Sequence, residues 1–161
     1  MEKVDYRRAG INDVERICKF VDFWLSGRGM KKGAPGAVND YFVSVGQQRK
    51  YVKKYTTLIA LLGDEIVGWA VMEPAGTLIH LLVKGDIRGK GIGKKMVQIL
   101  EPKTVRSKSD QSSGDPIGFY EKIGYRRVER VKSMSRLDSD EVNPGRVENI
   151  DIFKRMGKID T

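Results

Sequence analysis

The sequence is poor in cysteine and histidine, and it has fewer acidic than basic residues. One Cys among 161 residues allows no internal disulfide, and one Cys with one His cannot complete a zinc cage. This excludes a disulfide scaffold and a structural zinc protein, and it favours a reducing, cytoplasmic setting. A hydrophobic content of 40% is ordinary for a folded protein, so we expect one domain over residues 1–161.

Long hydrophobic runs are missing as well. The longest apolar stretches, such as Leu58 to Leu62, are far shorter than the ~20 residues that a membrane-spanning helix needs. The first ten residues also lack the apolar core of a secretion signal. We therefore expect a soluble protein with no membrane-spanning helix and, unless its excess charge binds an anionic surface, no membrane partner.

Acidic residues are too few to balance the basic ones. Thirty Lys and Arg against 21 Asp and Glu leave a net charge of +9. Eight basic and two acidic residues lie between Lys84 and Lys108, so this window alone carries +6. Such an excess indicates a phosphate-bearing partner, which composition leaves open among nucleic acid, an anionic membrane and a nucleotide cofactor. A second basic cluster, from Lys122 to Lys132, is predicted to be a solvated face.

The hydrophobic pattern predicts alternating strands and helices. Strands are expected at 4–8, 56–62, 66–72, 77–84, 104–108 and 125–137. Helices are expected from a cap at Asn12 or Asp13 to about residue 25, from a cap at Asn39 or Asp40 to about residue 54, and at 92–100 and 116–123. A turn is predicted at 143–145, and residues 137–161 are left as an unassigned tail. This order predicts an α/β fold with a mixed sheet.

A glycine-rich segment follows the predicted strand at 77–84. Its sequence is Arg88-Gly89-Lys90-Gly91-Ile92-Gly93-Lys94, and the predicted helix begins within it. Glycines let an anion approach backbone N–H groups, and a helix N-terminus adds partial positive charge. The spacing departs from the Walker A pattern G-x-x-x-x-G-K-[ST] and from the dinucleotide fingerprint G-x-G-x-x-G. A Walker A site for ATP and a Rossmann-type site for NAD are therefore excluded.

The spacing R-x-x-G-x-G from Arg88 to Gly93, preceded by Leu81-Leu82-Val83, resembles the acyl-CoA loop of the GNAT superfamily of N-acyltransferases. Further along, Phe119-Tyr120 and Gly124-Tyr125 are similar to that family's second motif, F-Y-x-x-x-G-[FY]. The resemblance implies the GNAT fold, a mixed and largely antiparallel sheet flanked by helices. It departs at 109–115, where the family often has an Asn that binds pantetheine; the resemblance implies that Ser112 or Ser113 would take its place.

The resemblance implies an N-acetyltransferase that moves an acetyl or other acyl group from CoA to a primary amine, with acetyl-CoA as co-substrate and no metal. The backbone of Leu82 and Val83 would bind pantetheine, and one of these two N–H groups would meet the thioester oxygen. The pyrophosphate would lie on the glycine segment, at Arg88, Gly89, Lys90, Gly91, Gly93 and Lys94. Tyr120 matches the family's tyrosine near the CoA sulfur and would act as the acid.

The base that accepts the amine proton is less defined. His80 is the only histidine, and an imidazole ordinarily titrates near pH ~6.5. Strand alternation puts His80 on the opposite face from Val83, with Thr77, Ile79 and Leu81 on the Val83 face, unless a bulge intervenes. Glu73 and Asp115 are alternative bases, and Cys18 is expected to be a core residue.

The acceptor is expected to be a small-molecule or peptide amine, bound by a monomer or a homodimer. Two alternatives stay open. The basic and aromatic segment 47–55 is typical of a nucleic-acid surface, which would suit an acceptor on nucleic acid or aminoacyl-tRNA. A non-catalytic acyl-CoA-binding module would also retain the glycine segment.

Overall fold

A computed structural model describes residues 3–25, 43–84, 90–108, 117–136 and 142–156 of the chain. Within these ranges, strands and helices alternate much as the hydrophobic pattern predicts. The strands are β1 (Val4–Arg8), β2 (Thr56–Leu62), β3 (Glu65–Met72), β4 (Thr77–Val83), β5 (Thr104–Lys108), β6 (Tyr125–Arg136) and β7 (Val142–Arg155). The helices are α1 (Val14–Leu25), which follows a short 3-10 turn, α2 (Val45–Lys54), α3 (Ile92–Leu100) and α4 (Ile117–Lys122).

All seven strands form one sheet in the order β1-β2-β3-β4-β5-β7-β6. The pair β4 and β5 is parallel, and the other five neighbouring pairs are antiparallel. This confirms the predicted α/β class with a mixed, largely antiparallel sheet. The prediction of an unassigned tail is wrong, because β7 inserts between β5 and β6 and pairs with both. Residues 143–145, predicted as a turn, fall within the bounds of β7, but the pairing of β7 with β6 is interrupted there, between Val142 and Val147.

Helices cover both faces of the sheet. Val14, Ile17 and Phe20 of α1 and Tyr51 and Val52 of α2 pack on the first face, which we name for these two helices the α1/α2 face. On the opposite α3/α4 face, α3 packs through four buried residues and α4 packs through Tyr120; the α3 residues are Ile92, Met96, Val97 and Leu100. Burial of these apolar stripes supplies most of the stabilisation of a layered fold.

A β-bulge interrupts β4. Val71 pairs with His80 and Met72 pairs with Leu78, so Ile79 is the additional residue. Ile79 and Leu82 pack with the α1/α2 core, whereas Leu81 and Val83 pack with the α3/α4 core. The predicted alternation is therefore wrong for Ile79, because the bulge turns its side chain to the other face. The expected opposition of His80 and Val83 holds, since both lie beyond the bulge.

The starts of the first two helices differ from the predicted caps. Asp13 accepts a hydrogen bond of 2.8 Å from the backbone N–H of Gly10, which precedes the 3-10 turn, and it forms a two-bond ion pair with Arg7. Ser44 caps α2 by accepting the N–H of Gln47 at 3.0 Å. The caps predicted at residues 39 and 40 lie outside the described residues.

No helix in the described ranges is long and apolar enough to cross a membrane.

Candidate functional site

The sheet opens between β4 and β5. These strands pair only at Thr77 with Thr104 and at Leu78 with Val105, so over the described residues the rest of β4 runs on beside an opening. The N–H of Lys84 bonds to the carbonyl of Val67 on β3, at 2.8 Å. Because N–H directions alternate along a strand, the N–H of Val83 faces the β5 side and that of Leu82 faces β3. Of the two candidate oxyanion donors, the geometry therefore favours Val83.

The N-terminus of α3 lies just beyond the end of β4. Gly91 precedes the helix with φ of 83°, in the left-handed region that favours glycine, and a Cβ placed there would meet nothing within 4 Å. Lys90 and Lys94 are exposed on either side of it. The first turn of α3 carries no acidic residue that would compete for an anion. Arg88 and Gly89, predicted to belong to the same site, lie outside the described residues.

The two sequence motifs meet at Gly93. A Cβ on Gly93 would lie 3.4 Å from Cζ of Phe119 and 3.6 Å from Cγ2 of Val83. The end of β4, the first turn of α3 and the helix α4 thus converge at one point. Residues far apart in the chain are therefore brought together here.

Tyr120 is buried on the α3/α4 face. Its ring lies 5.0 Å from Phe119 and 5.0 Å from Phe153, centroid to centroid. Burial, and secondarily the nearby Tyr125, raises the pKa of the Tyr120 hydroxyl, which therefore stays protonated at neutral pH. Within the described residues no group hydrogen-bonds this hydroxyl. Tyr125 differs, because its hydroxyl donates to the carbonyl of Pro102 at 2.5 Å.

His80 lies on the α1/α2 face, half-buried. Its ring stacks on Trp69, with centroids 4.8 Å apart and planes 25° apart. Its Nε2 lies 3.0 Å from the hydroxyl oxygen of Tyr51 on α2. In the sequence, Tyr51 stands out only as one of the aromatic residues of the basic segment 47–55.

The other candidate bases are not brought to this site. The N–H of Glu73 bonds to the carbonyl of Thr77, so Glu73 lies at the start of β4, about 20 Å along the strand from Val83 at ~3.3 Å per residue. Asp115 lies outside the described residues. Cys18 packs against the α1/α2 core; burial raises the pKa of its thiol and the Arg49 charge lowers it to a smaller degree, consistent with a core residue.

On the same face as His80, four buried polar atoms have no hydrogen-bond partner among the residues that the structure describes. They are both side-chain amide atoms of Gln48, Oγ1 of Thr57 and Nε1 of Trp69. An unpaired buried polar group costs about 1–3 kcal/mol, so such atoms mark places that water or a ligand serves. Sequence reasoning missed them, because a Gln on the buried face of a helix is recognised only once the helix is docked.

Some of the basic residues in both clusters are paired with acidic side chains. The Lys84 ammonium lies 2.8 Å from a carboxylate oxygen of Glu65, so part of the charge between Lys84 and Lys108 is neutralised on β3. In the second cluster, Arg130 pairs at 2.6 Å with Asp151, whose side chain is fully buried. That cluster was predicted to be a solvated face, but Arg130 forms an ion pair with a buried carboxylate and so contributes to the packing of β6 on β7.

The segment 47–55 forms most of α2 and one residue beyond it. Tyr51 is only 2% exposed, and Tyr55 packs against it with ring centroids 5.4 Å apart. The aromatic rings that would stack on bases therefore face the core. The basic side chains of this segment remain at the surface without that stacking platform.

The chain is similar to known acetyltransferases. Residues 53–127 match the family model described as the acetyltransferase (GNAT) domain. No curated protein sequence matches the chain significantly. Among solved structures, a GCN5-related N-acetyltransferase from Rhodopseudomonas palustris is 15% identical with a TM-score of 0.66, over 97% of this chain and 98% of that one.

Two further structures share this similarity. The ribosomal-protein-alanine N-acetyltransferase of Brucella melitensis is 14% identical with a TM-score of 0.66, over 94% of this chain and 99% of that one. The PaiA N-acetyltransferase of Thermoplasma acidophilum, solved with coenzyme A, is 16% identical with a TM-score of 0.60, over 96% and 99%. At such identities the likeness shows a common fold.

Proposed function

Because this chain is a member of the GNAT superfamily, we propose that it transfers an acetyl or other acyl group from CoA to a primary amine. The amine attacks the thioester directly while both substrates are bound. The observation that carries this proposal is the convergence of Val83, Gly93 and Phe119, which joins the opening beside β4 to the start of α3 and to α4, the helix that carries Tyr120. A CoA molecule needs those three features together.

The site would hold CoA in two parts. The pyrophosphate would accept hydrogen bonds from the first-turn N–H groups of α3, with Lys90 and Lys94 beside it. The pantetheine arm would lie in the opening between β4 and β5, where it extends the edge of β4 as an added strand does. Two similar structures were solved with CoA, those of PaiA and NatC, which supports CoA as the co-substrate here.

The reaction needs an acid and a base on opposite sides of the thioester. The amine nitrogen attacks the carbonyl carbon, a C–N bond forms, the C–S bond breaks, and the amine loses one proton. We assign that proton to His80 on the α1/α2 face, and the N–H of Val83 to the oxygen that gains negative charge. Tyr120, on the α3/α4 face, would donate its hydroxyl proton to the leaving sulfur.

Burial affects both partners of that last step. A hydroxyl with a raised pKa is a weak acid, but a thiolate expelled into the same apolar surroundings also has a raised pKa. The hydrogen bond between them then stabilises the developing thiolate, and the proton follows. Tyr120 is suited to this because its hydroxyl is not used elsewhere among the described residues.

The acceptor is proposed to be a small-molecule or peptide amine. Structures with this fold include a ribosomal-protein-alanine N-acetyltransferase and the NatC complex bound to a Gag peptide. Peptides with free N-termini are therefore the first acceptors to test, followed by polyamines, amino acids, aminoglycosides and charged tRNA.

The test is thermal unfolding with and without acetyl-CoA, followed by an acceptor screen that detects released CoA thiol. At ~100 times its dissociation constant, acetyl-CoA should raise the free energy of unfolding by about 2.7 kcal/mol. Lys94→Glu should weaken this protection. The matched variant Lys53→Glu, an equal charge change at an exposed site on α2, should preserve it. Absence of protection in the wild-type protein would contradict the proposal.

A further inference from the structure

The solvent side of α2 carries positive charge that the proposed reaction has not used. Four exposed basic residues form what we name the α2 cationic face: Arg49, Lys50, Lys53 and Lys54. No acidic residue occurs between Asp40 and Asp64. We infer that this face binds an acidic segment of the acceptor, so that the preferred acceptor is a peptide whose free N-terminus is followed by Asp or Glu residues. This inference rests on the proposed function, because it names the acceptor class of that reaction.

The positive charges of the α2 cationic face are not neutralised within the protein. None of its four residues forms an ion pair with an acidic side chain in the part of the chain that the structure describes. Basic residues on other elements do form such pairs: Lys19 of α1 with Glu15, and Lys84, at the end of β4, with Glu65. The α2 cationic face therefore presents four charges to whatever molecule approaches it.

The spacing of these residues produces repulsion along α2. Arg49 and Lys53 are four residues apart, as are Lys50 and Lys54, so two pairs of like charge are neighbours on the helix surface, which destabilises a helix. At the same spacing, α1 carries an acidic and a basic residue, which attract each other across 3.4 Å. The helix dipole favours the two lysines of the last turn, but Arg49 and Lys50 lie before that turn. A locally unfavourable arrangement of this kind is typical of a functional surface.

A series of ring contacts joins the α2 cationic face to the proposed base. The Lys50 ammonium lies 5.5 Å from the centre of the Tyr55 ring. The ring centres of Tyr55 and Tyr51 are 5.4 Å apart, as are those of Tyr51 and His80. An extended peptide advances about 3.5 Å per residue, so four or five residues span even the full length of these three contacts. We therefore expect the acidic residues at positions three to five of the acceptor peptide.

An acidic peptide suits this face better than a nucleic acid or a polyamine does. The rings of Tyr51 and Tyr55 pack together against the core, so the face offers charge without rings on which single-stranded bases stack. Polyamines and aminoglycosides carry further amino groups that are positive at neutral pH, and the same face repels them. An acidic peptide combines one attacking amine with carboxylates that the face attracts.

The experiment compares peptides that begin with Ala-Gly and continue with three Glu, three Gln or three Lys residues. Binding is measured directly by fluorescence anisotropy in the presence of CoA, and transfer is measured with acetyl-CoA by the release of CoA thiol. In low salt we expect the Glu peptide to bind about tenfold more tightly than the Gln peptide, the combined effect of three exposed ion pairs, and the Lys peptide to bind most weakly. The difference should largely disappear in about 1 M NaCl, which screens charges beyond ~3 Å.

Charge reversal on α2 separates recognition of the peptide from a structural role. Lys50→Glu should reduce the preference for the Glu peptide over the Gln peptide, and Lys50→Glu combined with Lys54→Glu, which leaves the face without net charge, should abolish it. Both positions are exposed, so the variants should keep their protection by acetyl-CoA. Lys3→Glu is the control for the single variant, an equal charge change at an exposed residue before β1, at the end of that strand that pairs with Leu62. It should keep the preference.

Equal binding of the Glu and Gln peptides by the wild-type protein, or no binding of either, would overturn the inference. So would an equal loss of preference in Lys50→Glu and Lys3→Glu, or an enzyme that acetylates other amines but none of these peptides. Tighter binding of a short RNA with the same number of charges would assign the face to nucleic acid instead. Failure of the wild-type protein to bind acetyl-CoA would refute the proposed function, and the anisotropy would still decide whether the face binds acidic segments.

Discussion

Gly68 determines how closely α3 approaches the sheet, and replacing it tests the packing that supports the site. Gly68 lies in β3, paired with Val83 of β4. A Cβ added there would lie 2.8 Å from Sδ of Met96 and 3.1 Å from Cβ of Ala60. Both distances are shorter than ordinary van der Waals contacts, and the Met96 side chain is fully buried. We predict that Gly68→Ala destabilises the protein.

The magnitude follows from two opposing effects. Overpacking a close-packed core typically costs 1–3 kcal/mol, whereas replacing Gly by Ala within a strand gains about 0.5–1 kcal/mol of backbone entropy. The thioether of Met96 can turn aside, but Ala60 is fixed to the adjacent strand. We therefore expect a net loss of about 1–2 kcal/mol, or roughly 2–8 °C in Tm for a protein of this size.

The assay is urea and thermal unfolding, read together with acetyl-CoA affinity. Because α3 must move away from the sheet, we expect acetyl-CoA to bind Gly68→Ala more weakly than it binds the wild-type protein. Gly46→Ala is the control, since Gly46 is exposed in α2 and its added Cβ would meet only the Ser44 hydroxyl at 3.8 Å. That variant should gain about 0.5–1 kcal/mol from helix propensity.

A third variant shows whether Met96 is the residue that resists. Met96→Ala alone leaves a cavity and should cost about 2–5 kcal/mol. Combined with Gly68→Ala, it should cost less than the sum of the two separate losses, because the new methyl then meets open space. A Gly68→Ala protein as stable as the wild type, or strictly additive losses, would refute the packing argument.

Two further predictions concern single side chains. Tyr120→Phe should lower kcat at least tenfold while leaving the free energy of unfolding nearly unchanged. Tyr125→Phe, which loses the hydrogen bond to the Pro102 carbonyl, should instead reduce stability and leave kcat largely intact. Equal loss of activity in both variants would refute the acid role of Tyr120. The Arg7 guanidinium beside Asp13 holds the pKa of that carboxyl well below its usual range, so its contribution to stability is fully present above about pH 4 and is lost as the pH falls further. Asp13→Asn should cost about 1 kcal/mol at neutral pH, a small value because Arg7 is half-exposed. In this variant the free energy of unfolding measured in urea should depend less on pH between pH 5 and pH 3 than in the wild-type protein. An unchanged pH dependence would contradict this account.

The sequence alone determined the features that depend on local chemistry. The glycine pattern from Arg88 to Gly93 and the Phe119-Tyr120 motif indicated a GNAT acyl-CoA site, and the family match agrees with that resemblance. The helix over 92–100 and the strand over 104–108 have the predicted bounds. These elements can be predicted because hydrophobic periodicity, glycine and proline affect only residues a few positions away in the chain.

Other features arose only when distant segments packed together. Pairing with β5 and β6 on both sides holds residues 150–154 as the centre of β7, whereas the pairing with β6 is interrupted between Val142 and Val147, where the turn residues 143–145 lie. The bulge at Ile79 depends on the register of β3 against β4, which no single strand specifies. The contact of Tyr51 with His80 joins a helix to a strand 29 residues away, and only the docking of α2 on the sheet decided it.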